Sequence, residues 1–540
     1  MPPSPPNAGH LGTKLMRRLS KRIHAVAGLL LGLVQCAGAG ALATVPCTRP
    51  AIQAISPADT TIVSATRQSD PVRYCDVFGY VTTRHPGPNH VNFELSLPAK
   101  GNGRFLFIGN GGFAGSSTSF SDFADLARLT KAGFAIVRTD TGHDGEPFDA
   151  SWALDDRAKQ DDYLFRGVHV TARAGKTITR QYYGQLSRAY FAGCSNGGRQ
   201  GLVEAQRYPS DFDGVIAGAP ALGAFVAGFN WNEQHLTADA DSIIDWDKLA
   251  LVDAAVRDNC DAIDGVVDGL IQDPRKCSFD HASLLCTAAN DSNCLTTGQV
   301  SSLTAIYAGA ATADGRVVYS GFPKSDSAAD GSWAIWLSGF VPPDAPGAAK
   351  PWSEPTFPAL QWTFQDQALR YFVFSDPDYD FRDFDIDSND LAEFHRVWNR
   401  GGGEASDPDL SSFDKLGGKL IMYHGWNDPA VSALETIRYF EKVNEQRPGK
   451  SAARSARLFM VPGMEHCIGT GPGPNVFDPL VSLIDWVENG KAPDQIIASH
   501  FQDNDLTGKV TRTMPLCPYP RTAVFKRGDV NNASNWRCHP

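Results

Sequence analysis

Residues 189–205, AYFAGCSNGGRQGLVEA, constrain the fold of this chain more than any other stretch. An apolar run ends in G-x-S-x-G, and a helix-forming segment follows at once. A strand that turns so abruptly into a helix forces strained backbone angles on its middle residue and lifts that side chain clear of the sheet. Side chains at Gly193 and Gly197 would collide with the adjoining elements, so both positions need glycine. Ser195 is therefore the candidate nucleophile. Taken alone, the five-residue pattern also fits a chance glycine-rich turn; its place between strand and helix gives it meaning.

A serine hydroxyl needs a base, and the base needs an orienting acid. On such a sheet the three follow in the chain order Ser, Asp, His, each just past a strand. Residues 419–428, KLIMYHGWND, read as a strand ending in Asp428, and residues 456–467, ARLFMVPGMEHC, as a strand ending in His466. His424, on the earlier of these strands, reads as packing or substrate lining. The oxyanion has to be met by backbone N–H groups. One is expected from Asn196, after the nucleophile, and the other from Gly112 or Gly111 in the turn GNGGFAGS. A phosphate-binding reading of that turn fails because neither GxGxxG nor a Walker lysine follows.

Two further strands, GRFLFIGNGG and GFAIVRTDTG, precede the nucleophile, and FDGVIAGAPA follows it. ETIRYFEKVNEQ and LVSLIDWVENGK read as helices. Apolar runs alternating with helices predict an α/β protein with a mostly parallel sheet covered on both faces. From about residue 222 to 415 the alternation stops, and aromatic clusters and Gly/Pro-rich links take over. A structureless loop of that length is implausible in a compact domain. The expected organisation is a catalytic domain in two parts, 44–221 and 416–540, with an inserted lid domain over 222–415. Trp333, Trp336, Tyr371 and Phe372 of the lid are available to stack on a ring-bearing substrate, although ordinary core packing explains any one of them.

The N-terminus has a basic stretch, an apolar run and Ala41-Leu42-Ala43, the order of a secretory signal cleaved after residue 43. Arg17-Arg18 weakly suggests twin-arginine export, and Met16 is a plausible start. No later run is long and apolar enough to span a bilayer. Past the signal, ten cysteines remain, an even number that in an exported protein reads as disulfides. Close spacing suggests Cys260 with Cys277, Cys286 with Cys294 and Cys517 with Cys538, which leaves Cys47, Cys75, Cys194 and Cys467. Cys194 precedes Ser195 and Cys467 follows His466, so if serine and histidine meet, these cysteines meet too. That crosslink would close a loop of about 270 residues, worth roughly 5–6 kcal/mol as an upper value in the loop-entropy picture. A net charge of −11 argues against nucleic acid as a partner.

The arrangement Cys-Ser, Asp, His-Cys resembles the tannase and feruloyl esterase family. The likeness runs through FIGNGGFAG, GCSNGGRQGL, FDGVIAGAPA, HGWNDP and PGMEHC, nearly the whole of the mature chain. It implies an α/β-hydrolase fold with a lid and hydrolysis of carboxylic esters through an acyl-enzyme. It also implies structural calcium in DAIDGVVDGLIQD, held by Asp261, Asp264 and Asp268 with the carbonyls of Val266 and Leu270. Hard oxygen ligands on a glycine-bearing loop suit that ion.

These readings describe an exported serine esterase that cleaves small esters of aromatic acids, with Ser195, His466 and Asp428 as its triad. Ferulate, gallate, chlorogenate and terephthalate monoesters share the ring. The rivals are a serine peptidase and a catalytically dead, calcium-dependent binding protein.

Overall fold

The computed structural model describes residues 41–117, 125–239, 241–287, 293–325, 328, 332–338, 359–446 and 454–539. The expected signal lies outside these, apart from Ala41–Ala43, of which Ala41 and Leu42 pair with Gly101 and Lys100.

Nine strands build the main sheet: β1 (Thr60–Gln68), β2 (Tyr74–Thr83), β3 (Asn89–Pro98), β4 (Arg104–Ile108), β5 (Ala135–Thr139), β6 (Arg188–Cys194), β7 (Gly214–Gly218), β8 (Lys419–Gly425) and β9 (Ala456–Val461). Their spatial order is β1-β2-β3-β5-β4-β6-β7-β8-β9. From β5 to β9 every pairing is parallel, whereas β1, β2 and β3 join antiparallel. Burial explains the difference. All of β7 and all of β4 past Arg104 are buried, as parallel strands covered on both faces must be. In β3, buried Val91, Phe93, Leu95 and Leu97 alternate with half-exposed Asn92, Glu94 and Ser96, so one face stays near water. The expectation of a mostly parallel sheet holds for six strands. It missed the three antiparallel ones, whose half-polar alternation carries no long apolar run.

Helix α1 (Gly167–Tyr183) lies on one face of the sheet so closely that a Cβ at Gly175 would come 2.9 Å from the Phe105 ring. Helix α2 (Asn196–Arg207) follows the nucleophile turn. On the other face, Leu480, Leu483 and Trp486 of the helix Pro479–Asn489 pack with Leu106, Tyr190, Ile216, Ile421 and Phe459. Fully burying such side chains stabilises by roughly 1.5–3 kcal/mol each.

β7 and β8 are neighbours, Gly218 opposite Tyr423, yet the chain leaves the sheet at Gly218 and returns only at Lys419. Among its described residues the intervening segment carries helices, including α3 (Phe225–Leu236), α4 (Leu360–Gln367) and α5 (Asn389–Trp398), and a small hairpin between Gly309–Ala311 and Val317–Ser320. Its Phe225, Phe364, Phe372 and Trp398 form one buried cluster with Phe113 and Tyr163 from the sheet-bearing part. Five disulfides join Cys47–Cys75, Cys194–Cys467, Cys260–Cys277, Cys286–Cys294 and Cys517–Cys538. No helix of the described residues is long and apolar enough to cross a membrane.

Candidate active site

Ser195 stands between the end of β6 and the start of α2 with φ 61° and ψ −125°, a strained backbone for any residue with a side chain. Its carbonyl accepts the amides of Arg199 (3.0 Å) and Ala221 (3.1 Å), and its own amide donates to Gly218 O (3.0 Å). A Cβ at Gly193 would meet Gly197 backbone at 2.7 Å, and one at Gly197 would meet the Gly109 carbonyl carbon at 3.1 Å. Strand, turn and helix close on each other too tightly for side chains there.

Asp428 and His466 lie beyond the ends of β8 and β9, on the same rim of the sheet as Ser195. His466 Nδ1 and Asp428 Oδ2 are 2.8 Å apart. A second histidine shares that oxygen, because His424 Nε2 is 3.0 Å from Oδ2. His424 Nδ1 faces the Thr436 hydroxyl at 2.8 Å. The amides of Ala430 (2.8 Å) and Val431 (3.1 Å) donate to Oδ1. Burial alone would raise the Asp428 carboxyl, but His466 and His424 outweigh it and hold the acid well below the usual carboxylate range. His424 is fully buried against Asp428 and is not among the residues that border the cleft beside Ser195, which favours the packing reading.

The crosslink Cys194–Cys467, with Cα atoms 6.0 Å apart, ties the residue before Ser195 to the residue after His466. Ser195 opens into a cleft of about 330 Å³. Phe113, Phe225, Phe229, Trp336, Phe364 and Val431 form its apolar walls, and Gly112, Asn196 and Tyr163 also border it. The Trp336 ring meets His466 edge to face, with centroids 5.1 Å apart. Of the aromatics singled out from sequence, Trp336 alone borders the cleft. Trp333 and Phe372 are core residues, and Tyr371 packs half-buried against the second of those cores.

Within the turn after β4, the amides of Asn110, Phe113, Ala114 and Gly115 donate elsewhere, to Gln200, Pro147, Gly111 and Asp140. That narrows the choice of oxyanion donor to Gly111 and Gly112. Gly112 has φ +56°, and a Cβ there would strike Pro147 O at 2.5 Å. Asn196 begins α2, where the first amides have no partner within the helix.

The acidic loop reaches the turn after β9, where a Cβ at Gly463 would come 2.6 Å from Leu270 Cδ2. Asp261 accepts the amides of Asp268 (3.2 Å) and Gly269 (2.9 Å), Asp264 accepts that of Val266 (3.0 Å), and Asp268 accepts that of Leu270 (3.2 Å) and pairs with Arg512. Asp264 Oδ2 is buried with no partner within hydrogen-bonding distance. Burial, then the nearby carboxylates of Asp268 and Asp261, push Asp264 up to about 6 against the pull of the Val266 and Gln272 amides. Among the described residues, the acid and histidine side chains whose ligand atoms converge within 4.8 Å are His169, Glu204 and Asp211, not this trio. Their charge is already matched, since Lys176 and His169 pair with Asp211, and burial beside Asp211 holds Glu204 as the neutral acid.

A strained serine turn at the rim of a parallel sheet, over a ring-walled cleft, defines the architecture as that of an α/β-hydrolase. Comparison with known proteins narrows the class. Residues 75–539 match the tannase and feruloyl esterase family, and the chain belongs to that family of carboxylesterases. It is 33% identical over 527 residues to the mono(2-hydroxyethyl) terephthalate hydrolase of Piscinibacter sakaiensis, covering 86% of this chain and 84% of that one. It is 29% identical over 478 residues to a probable feruloyl esterase B-1 of Aspergillus flavus, covering 83% and 84%. The crystal structure of feruloyl esterase B from Aspergillus oryzae superposes with a TM-score of 0.76 at 26% identity, over 90% of this chain and 98% of that one.

Proposed function

We propose that this protein is an exported serine esterase for esters of aromatic acids. The observation that carries the reading is the Asp428–His466 pair, tied by the Cys194–Cys467 crosslink to a strained Ser195 that borders a ring-walled cleft. With Nδ1 committed to Asp428, the imidazole keeps Nε2 free to take the Ser195 proton. Ser195 Oγ attacks the ester carbonyl, and the amides of Asn196 and Gly112 meet the oxyanion. His466 then returns the proton to the leaving alcohol, and Asp428 stabilises the imidazolium throughout. Water repeats the sequence on the acyl-enzyme. The segment 222–415 acts as the lid, and its Trp336 and Phe364 supply flat surfaces for an acyl ring. The relatives' names point to feruloyl or terephthaloyl groups, both of which present such a ring.

Calcium belongs to the Asp261–Leu270 loop in this reading. The orphaned Asp264 oxygen and the mutual repulsion of Asp261, Asp264 and Asp268 fit a hard cation, with the carbonyls of Val266 and Leu270 completing the set. Its contribution there is to stability. Five disulfides support export to an oxidising compartment.

Hydrolysis of methyl ferulate, an alkyl gallate, chlorogenate and a terephthalate monoester, against an aliphatic ester control, tests the substrate class. A fluorophosphonate should label Ser195, and Ser195→Ala should lower kcat by about 10⁶ with the fold intact. Turnover of Ser195→Ala within tenfold of wild type would sink the assignment, and an unlabelled, inactive wild type would favour the binding-protein rival.

A further inference from the structure

Asn196 is buried, and each polar atom of its side chain is committed. Nδ2 donates to Asn110 O (3.0 Å), while Oδ1 accepts from Arg199 Nε (2.8 Å) and lies 3.1 Å from the Tyr163 hydroxyl. The same hydroxyl is 3.1 Å from Gly112 O. One tyrosine oxygen thus touches both segments that present the proposed oxyanion amides.

Arg199 is fully buried and makes no ion pair with a carboxylate among the described residues. Its other N–H groups reach Leu164 O (2.8 Å), Gly403 O (2.9 Å) and Tyr163 O (3.1 Å), and its guanidinium lies 4.9 Å from the Tyr163 ring centroid. Satisfying those carbonyls would account for a structural arginine. It does not account for Nε directed at Asn196, nor for a hydroxyl shared between two loops. Proton counting explains why both residues are present. Tyr163 has a single O–H proton for two acceptors. Because Arg199 supplies a donor to Asn196 Oδ1, that proton is available to Gly112 O.

Gly112, like Gly111 before it, has no Cβ to resist backbone rotation, so its orientation has to be fixed by its hydrogen bonds. The peptide that follows it is held at both ends: Tyr163 takes the Gly112 carbonyl, and Pro147 O takes the Phe113 amide at 3.0 Å. We propose that Tyr163 and Arg199 are positioning residues for the oxyanion site, fixing the aim and separation of the Asn196 and Gly112 amides through the Asn196 side chain and the Gly112 carbonyl. This rests on the reading of those amides given above.

Tyr163→Phe keeps the ring and its packing and removes only the shared hydroxyl. Asn196→Ala keeps the backbone N–H and removes the latch. For both, kcat on an aryl ester should fall ten- to hundredfold with KM changed less than threefold, because errors of about 1 Å at reacting groups cost about that much. Affinity for an arylboronic acid, which mimics the tetrahedral species, should fall in parallel with kcat/KM. Arg199→Met would strand several buried carbonyls, so the other two variants are the decisive ones, with melting temperature as the check on folding. A kcat within twofold of wild type and unaltered boronate affinity would overturn the inference, as would a raised KM at unchanged kcat, which would make Tyr163 a substrate contact. Ser195→Ala separates the two failures: if it abolishes turnover while Tyr163→Phe does nothing, only the positioning role falls.

Discussion

Two carboxylates, buried Asp428 and half-buried Asp264, stand in opposite electrostatic situations. Asp428 has donors on both oxygens, two histidines on one and two amides on the other, and is held ionised despite full burial. Asp264 has the Val266 amide on Oδ1, an orphaned Oδ2, and two acids for neighbours, so it is pushed the other way. Low dielectric strengthens whatever surrounds a charge. At Asp428 the protein supplies the counter-charge itself, whereas at Asp264 the proposed calcium would supply it.

Exchanging each acid for its amide probes that contrast. Asp428→Asn should lower kcat by about 10⁴, because the amide favours the wrong His466 tautomer. Asp264→Asn should leave kcat within about twofold. If the two variants lose similar activity in steady-state assays, the contrast fails.

Removing one donor from Asp428 is the gentler probe. His424→Ala should cost roughly tenfold or more in kcat, the scale of a hydrogen bond to a charged group. It should also destabilise. A carboxylate depressed in the folded state contributes stability above its unfolded value and loses it as pH falls toward the folded one. The gap in unfolding free energy between wild type and His424→Ala should therefore be widest at neutral pH and narrow below about pH 4. A gap independent of pH would mean that His424 only packs.

The smallest effect is expected at the loop. A chelator should lower the melting temperature of wild type by a few degrees, since an ion at a hundredfold excess over its Kd stabilises by about 2.7 kcal/mol. Asp261→Ala should melt at that lower temperature with or without calcium, at near-normal kcat. A wild-type melting temperature indifferent to chelator would remove the cation from the account.

What could be read from sequence divides along the same physical line. Ser195, Asp428 and His466 were legible because each follows a short apolar strand, and strand ends are local signals. The crosslink between Cys194 and Cys467 followed from the same positions. The strands Thr60–Gln68, Tyr74–Thr83 and Asn89–Pro98 were not legible, since half-polar alternation looks like any exposed stretch. Tyr163, Arg199 and His424 act through partners far along the chain or across a turn, which residue spacing does not encode. One clue was available for Arg199: a charged residue inside GGRQG, where the helix faces the sheet, must find partners within the protein.

The bond between Cys194 and Cys467 also changes what a protease can do to this enzyme. Its cysteines are 273 positions apart, and the chain between them includes the whole segment that carries Trp336 and Phe364. A single cut anywhere between Ser195 and His466 yields two polypeptides that remain one covalent molecule until reduced. The proposed nucleophile and base cannot be parted by nicking the chain that separates them in sequence, a property that suits the proposed export.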